Sequence, residues 1–196
     1  MSLIIETGAD LPSIVRITPP AVLPVSLAMA KANMRVDGDD MDSLITLWVQ
    51  GITRKLEHDV GQVFMEQTWE VRLPSFPGLG EPIALPHPAM EITAVKYSAA
   101  GIEVPLAADA YRLNVGNYSS SLLAAAGAPW PAAGATDVVV TVKCGYGSTP
   151  DKTPETAQLF ILAKLVEQFD PITRTERDTV QSVYLDRLVD DLKTYA

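Results

Sequence analysis

From Met41 onward, apolar residues recur at steps of three and four: Met41, Leu44, Ile45, Trp48, Ile52, Leu56 and Val60. That spacing predicts one apolar stripe along a helix of about five to six turns. Lys55, Glu57 and Asp59 lie mostly off the stripe. Gly61 supplies the stop, because glycine enters the left-handed C-cap conformation without strain. Upstream, Ser26 is a suitable N-cap for a short helix over about 27–34. The acidic run Asp37-Gly38-Asp39-Asp40 breaks the two helices apart, and an aspartate in it is expected to cap the second and to place negative charge at its positive end.

From Thr68 the period changes to two. Trp69, Val71 and Leu73 alternate with Glu70 and Arg72, as in a half-buried strand. Further strand candidates follow at 83–85, 91–98, 102–106, 111–115, 121–124 and 137–144, punctuated by Pro, Gly and Asn. The segments 95–97 and 102–104 read as a hairpin. No helical pattern lies between these runs, so an antiparallel sheet or small barrel is expected rather than βαβ units. The Ala/Gly/Pro-rich run 124–135 reads as a loop anchored by Trp130.

The helical period returns at Thr153. Thr153 as N-cap, Pro154 at the first position and Glu155 in the first turn form a start signal. The helix 154–169 is apolar on most sides, so it must be covered by its own core or by a neighbouring subunit. Asp170-Pro171 ends it, and a last helix over about 175–194 carries Val180, Val183, Tyr184, Leu188 and Leu192 on one stripe. The expected fold class is α+β. Residues 1–25, rich in proline, form an extended N-terminal arm. Residues 26–66 and 151–196 form a helical core, and residues 67–150 an inserted antiparallel β domain.

The chain has 196 residues and a formal net charge of −9, with 47% hydrophobic and 20% charged residues. Basic and acidic residues number five and nine in 1–66, four and six in 67–150, and six and nine in 151–196. Every part is acidic, which argues against nucleic-acid binding through phosphate neutralisation. No run is long and apolar enough to span a bilayer, so no membrane partner is expected. The first twenty residues lack a basic n-region and do not read as a signal peptide. Cys144 is the only cysteine, so no intrachain disulfide can form.

Residues able to do chemistry are sparse. His58 and His87 lack a second His or a Cys at metal-ligand spacing, and Pro86-His87-Pro88 reads as a rigid turn that a cis proline would suit. In Asp37–Asp42 the glycine stands second, whereas a calcium loop needs it sixth, so capping is the preferred reading. Gly145-Tyr146-Gly147-Ser148 lacks a serine between the glycines and is not a nucleophile elbow. Cys144 ends an apolar strand and reads as an inert core residue. No catalytic residue, metal site or cofactor is expected.

The order of these motifs resembles the tailed-phage head–tail connector, or adaptor, family. Pro24-Val25-Ser26-Leu27, Ala30-Lys31 and Met34-Arg35-Val36-Asp37 resemble the family's opening helix, and Asp40 to Ile45 its second helix start. Glu57, Val60 and Gly61 resemble the end of that helix, with Gln62 where the family often has arginine. Gln67-Thr68-Trp69, then Asp109, Tyr111 and Arg112, then Gly145-Tyr146-Gly147 and finally 154–169 complete the series. The resemblance spans about 24–169, and the tail after Phe169 departs from the family's usual ending.

The resemblance implies a non-enzymatic structural subunit of a virion or prophage. Such subunits assemble in the host cytoplasm into a ring, commonly of about twelve, at the head–tail junction. The ring joins the portal protein to the stopper or tail-completion protein around DNA that is only cargo. The arm and last helix are the expected contact elements. Tyr184, Leu188, Leu192 and Tyr195 are candidate subunit or portal contacts, since aromatic residues are enriched at interface hot spots. Packing within their own subunit is the competing reading. Two other function classes stay open: a small hydrolase whose carboxylates meet only in space, and a carbohydrate- or peptide-binding β module using Trp130 and Tyr118.

Overall fold

The computed structural model describes residues 12–126, 129–131, 134–169, 187–190 and 192–193. The chain is a mixed α+β protein. In order it runs β1 (Ser13–Thr18), α1 (Leu27–Met34), α2 (Asp42–Val60), β2 (Gln67–Ser75), β3 (Ile83–Leu85), β4 (Ala89–Ala99), β5 (Ile102–Pro105), β6 (Tyr111–Val115), β7 (Ser120–Ala124), β8 (Ala135–Cys144) and α3 (Glu155–Phe169).

The three helices share one core. Ser26 caps α1 as expected: its hydroxyl accepts the Met29 N–H at 3.2 Å. In α2 the buried positions are Ile45, Val49, Thr53, Leu56 and Val60. Each buried aliphatic there contributes about 1.5–3 kcal/mol. They meet Ala157, Ile161 and Leu165 of α3, together with Val25, Ala30 and Met34. Leu44, placed on the apolar stripe by spacing, is instead exposed, and Val49 is buried. Stepping by three and four from Met41 drifts off the true face, whose centre runs through 45, 49, 56 and 60.

The acidic run does not cap α2. Met41 stands at the N-cap with no side-chain hydrogen bond. Asp39 and Asp42 instead accept from Lys31 Nζ at 3.1 and 2.7 Å, tying the α1–α2 turn to α1. Asp42 still places a carboxylate in the first turn. Thr153 is likewise not directed at its helix: it is buried, and its hydroxyl points to Met65 Sδ at 3.2 Å. At the other end of α2, Gly61 takes φ +69°, as the stop signal requires.

The strands form two antiparallel sheets, one ordered β1-β2-β8-β4-β5 and one ordered β3-β7-β6. Alternation sets the faces. In β8, Val138, Val140, Val142 and Cys144 are buried while the residues between them are half-buried. They share a core with Val71 and Val95 of the same sheet and with Ile83, Leu85 and Leu122 of the other. The hairpin at 95–104 is β4–β5, turned by Ala100 and Gly101 at φ +52° and +79° and braced by Lys96–Glu103 at 2.8 Å. Residues 13–18 are extended and hydrogen-bonded, as β1 on the edge of the larger sheet beside β2.

Candidate assembly surfaces

The helical and sheet parts meet at residues 62–66, directly after Gly61. The Val63 N–H donates to the His87 carbonyl at 2.7 Å, and the Tyr146 N–H to the Phe64 carbonyl at 2.9 Å. The Glu66 N–H donates to the Gly147 carbonyl at 2.9 Å, and the Gly145 N–H to the Pro88 carbonyl at 2.9 Å. The 145–147 turn thus clamps the α2–β2 connection by backbone bonds. Gly145 is required there: it sits at φ +122°, and a Cβ would lie 2.5 Å from the Met65 carbonyl group.

Side chains reinforce the clamp. The Tyr146 hydroxyl donates to Gln62 Oε1 at 2.6 Å, and Gln62 Nε2 donates to the Leu192 carbonyl at 2.6 Å. Glu57 Oε1 accepts the Phe64 N–H at 3.0 Å and the Gln67 amide at 3.2 Å. Burial holds the Glu57 carboxyl above its usual range, against the opposing pull of the Phe64 hydrogen bond and the Arg16 charge.

Two further reactive groups, His87 and Cys144, are built into the framework. His87 is buried, its Nδ1 lies 2.9 Å from Ser120 Oγ, and Ser120 Oγ also accepts the Ala89 N–H at 2.9 Å. Burial holds the imidazole below its usual value. The peptide between His87 and Pro88 is cis. His58 is exposed on α2. Cys144 is fully buried, and burial pushes its thiol up to about 12. Among the described residues no group of three or more His, Cys, Asp or Glu side chains could hold a metal ion. No helix among them is long and apolar enough to cross a membrane.

What the surface offers is contact area. Beside the α2 C-terminus, a groove of about 570 Å³ is lined by Ile14, Arg16, His58, Val63 and Trp69, among others. The Arg16 guanidinium lies 5.9 Å from the Trp69 ring centroid and donates to Gln67 Oε1 at 3.3 Å. Ile14, Val15 and Ile17 are exposed on β1, whose outer edge carries no strand among those described. This apolar edge was not legible as a strand, because four prolines around it dominate the local signal.

The four expected contact residues separate. Leu192 is 6% exposed and packs, with Val189, into the helical core. Leu188 is half-buried in a helical stretch at 187–190. Tyr184 and Tyr195 lie outside the described residues. Trp130 is also 6% exposed, stacked on Phe76 at 5.2 Å and donating to the Glu81 carbonyl at 3.3 Å. It lines a cleft of about 380 Å³ to which the exposed Tyr118 does not contribute. The two aromatics proposed for a binding module are therefore not brought together.

No protein-family model and no curated protein sequence matches the chain. Solved structures do. A chain in the neck of an empty GTA particle, computed with C6 symmetry, superposes with a TM-score of 0.75 at 16% identity over 94% of this chain and 96% of that one. A chain in the virion of a native gene transfer agent (GTA) particle gives 0.74 at 18% identity over 93% and 96%. A chain in the neck of a native GTA particle, computed with C12 symmetry, gives 0.65 at 18% identity over 92% and 96%. Over nearly its whole length, this chain has the fold of chains found in the necks and virions of gene transfer agent particles.

Proposed function

We propose that the chain is a structural, non-enzymatic subunit of a phage or prophage neck: a head–tail connector that forms a ring at the head–tail junction. In this reading residues 26–66 and 151–196 form the helical core and 67–150 the inserted β domain. The ring, of about twelve copies, joins the portal protein to the stopper or tail-completion protein and surrounds DNA as cargo. Assembly takes place in the host cytoplasm.

The observation that carries this reading is the near full-length likeness to GTA neck chains, at a TM-score of 0.75. Neck reconstructions with sixfold and twelvefold symmetry suit a subunit repeated around an axis. The motif series from Pro24 to Phe169 points the same way. The surface supplies contact area in an apolar β1 edge and an arginine-rimmed groove, and the one thiol is deeply buried. Leu188, Tyr184 and Tyr195 stay as proposed contacts. Leu192 serves the chain's own core.

The test is to mix the purified chain with rings of the portal protein from the same particle and image them by electron microscopy. A ring of added density on one end of the portal is the expected result. A portal that never gains density, with the chain monomeric throughout, would falsify the reading.

A further inference from the structure

Opposite its buried face, α2 exposes a second stripe. Leu44, Leu47, Gly51, Arg54 and His58 follow at steps of three and four, Asp40 extends the series in the turn just before the helix, and all six are exposed. Leu47 is 61% exposed and Leu44 42%. Nothing lies within 4 Å of where a Cβ on Gly51 would stand. The stripe is acidic at its start, apolar in the middle and basic at its end.

The positions are symmetric about residue 49. Turned end for end, the stripe sets Leu47 against Gly51, Leu44 against Arg54 and Asp40 against His58. A leucine then meets the one position where the helix has no side chain. The apolar stem of an arginine covers the other leucine. Acidic and basic ends face each other. We propose that α2 pairs antiparallel, through this stripe, with α2 of a second copy of the chain.

Charge complementarity decides for a second copy over an unrelated helix, since both halves of the match lie on one surface. The missing Cβ at Gly51 lets the two backbones approach closely at the centre of the crossing. Such a contact is two-fold and closes on itself. It belongs to the free chain and does not rest on the ring reading. One helix face buries less than the roughly 800 Å² per partner of a standard interface, so the dimer forms in the micromolar range or weaker.

Cross-linking tests the register. Leu47→Cys and Gly51→Cys are made as separate chains, mixed and mildly oxidised. Cys144 stays silent because it is fully buried and its thiol is pushed up to about 12. The mixed disulfide should exceed either like-with-like product by about tenfold or more. Like-with-like products in excess, or no cross-link, overturn the proposal. In sedimentation, the wild-type mass should rise toward two chains by about 500 µM. His58→Glu should weaken that association about tenfold or more, and adding Asp40→Lys to the same chain should restore it. A wild-type chain that stays monomeric, or a double variant that is not restored, also overturns it. If rings form on the portal while every one of these tests fails, the ring reading stands and this pairing falls.

Discussion

The Tyr146 hydroxyl and the Gln62 amide oxygen, 2.6 Å apart, join the turn after β8 to the residue that follows the Gly61 stop of α2. Gln62 passes the link on to the Leu192 carbonyl at 2.6 Å. One glutamine thus ties together the helical core, the sheet and the C-terminal stretch. Tyr146→Phe should cost about 1–2 kcal/mol by leaving the buried Gln62 oxygen short of a donor. Hydrogen exchange around 187–193 should quicken in that variant, and unchanged exchange there would show that Gln62 does not hold the stretch in place.

Gly145 has no substitute. Alanine would combine an unfavourable positive φ with a Cβ overlapping the Met65 carbonyl group, so Gly145→Ala should lose about 3 kcal/mol or more in a urea titration. Gly147→Ala is the control. Its added carbon would also be crowded, 2.7 and 2.9 Å from Lys152 Cγ and Cβ, but it meets no backbone atom and carries no positive φ, so it should lose less. Equal losses would contradict the asymmetry.

Glu57 gives two opposed substitutions. Its folded-state carboxyl titrates above the ordinary 4.5, so the folded chain binds this proton more tightly than the unfolded one. Its contribution to stability therefore falls as pH rises from about 4.5 through the raised value, and is flat beyond. Glu57→Gln keeps an acceptor for the Phe64 N–H without a buried charge. At neutral pH it should match the wild type or exceed it by about 1 kcal/mol. Glu57→Ala leaves that N–H without its acceptor and should cost about 1–3 kcal/mol. A Gln variant as weak as the Ala variant would mean that the charge itself is needed.

His87 has the opposite pH dependence. Burial lowers its folded-state value below 6.5, so the unfolded chain takes up the proton first. The stability it contributes is complete above about pH 6.5 and is lost as pH falls through the lowered folded value. Urea midpoints measured down from pH 7.5 should drop more steeply in the wild type than in His87→Gln. Parallel slopes would remove His87 from the account. Ser120→Ala deprives both His87 Nδ1 and the Ala89 N–H of a partner, and should cost about 1–3 kcal/mol at any of these pH values.

Much of the fold can be read from local signals. Ser26 and Gly61 mark helix ends by backbone chemistry that needs no tertiary context. The alternation from Val138 to Cys144 needs only a two-residue period. The failures share a cause: each residue there answers to a distant partner. Asp39, in the run expected to cap the second helix, is drawn to Lys31 instead. Thr153 was expected to cap α3 but turns its hydroxyl to Met65. Ser13–Thr18 becomes a strand only because β2, some fifty residues away, offers an edge. The exposed side of α2 was hidden because Leu44 read as part of the buried stripe. Whether a leucine is covered depends on what packs over it, which periodicity alone does not encode.

Strand β1 also sets the mechanical character of the molecule. It lies beside β2, yet both α1 and α2 intervene between them in the sequence. Seen from the sheet, those helices are a long excursion that leaves one strand and returns to its neighbour. They are moored at both ends, so they cannot swing away as a free arm unless the β1–β2 ladder unzips or the 62–66 clamp opens. Any large displacement of the helices against the sheet has to strain the β1–β2 ladder or the backbone bonds of the 62–66 clamp.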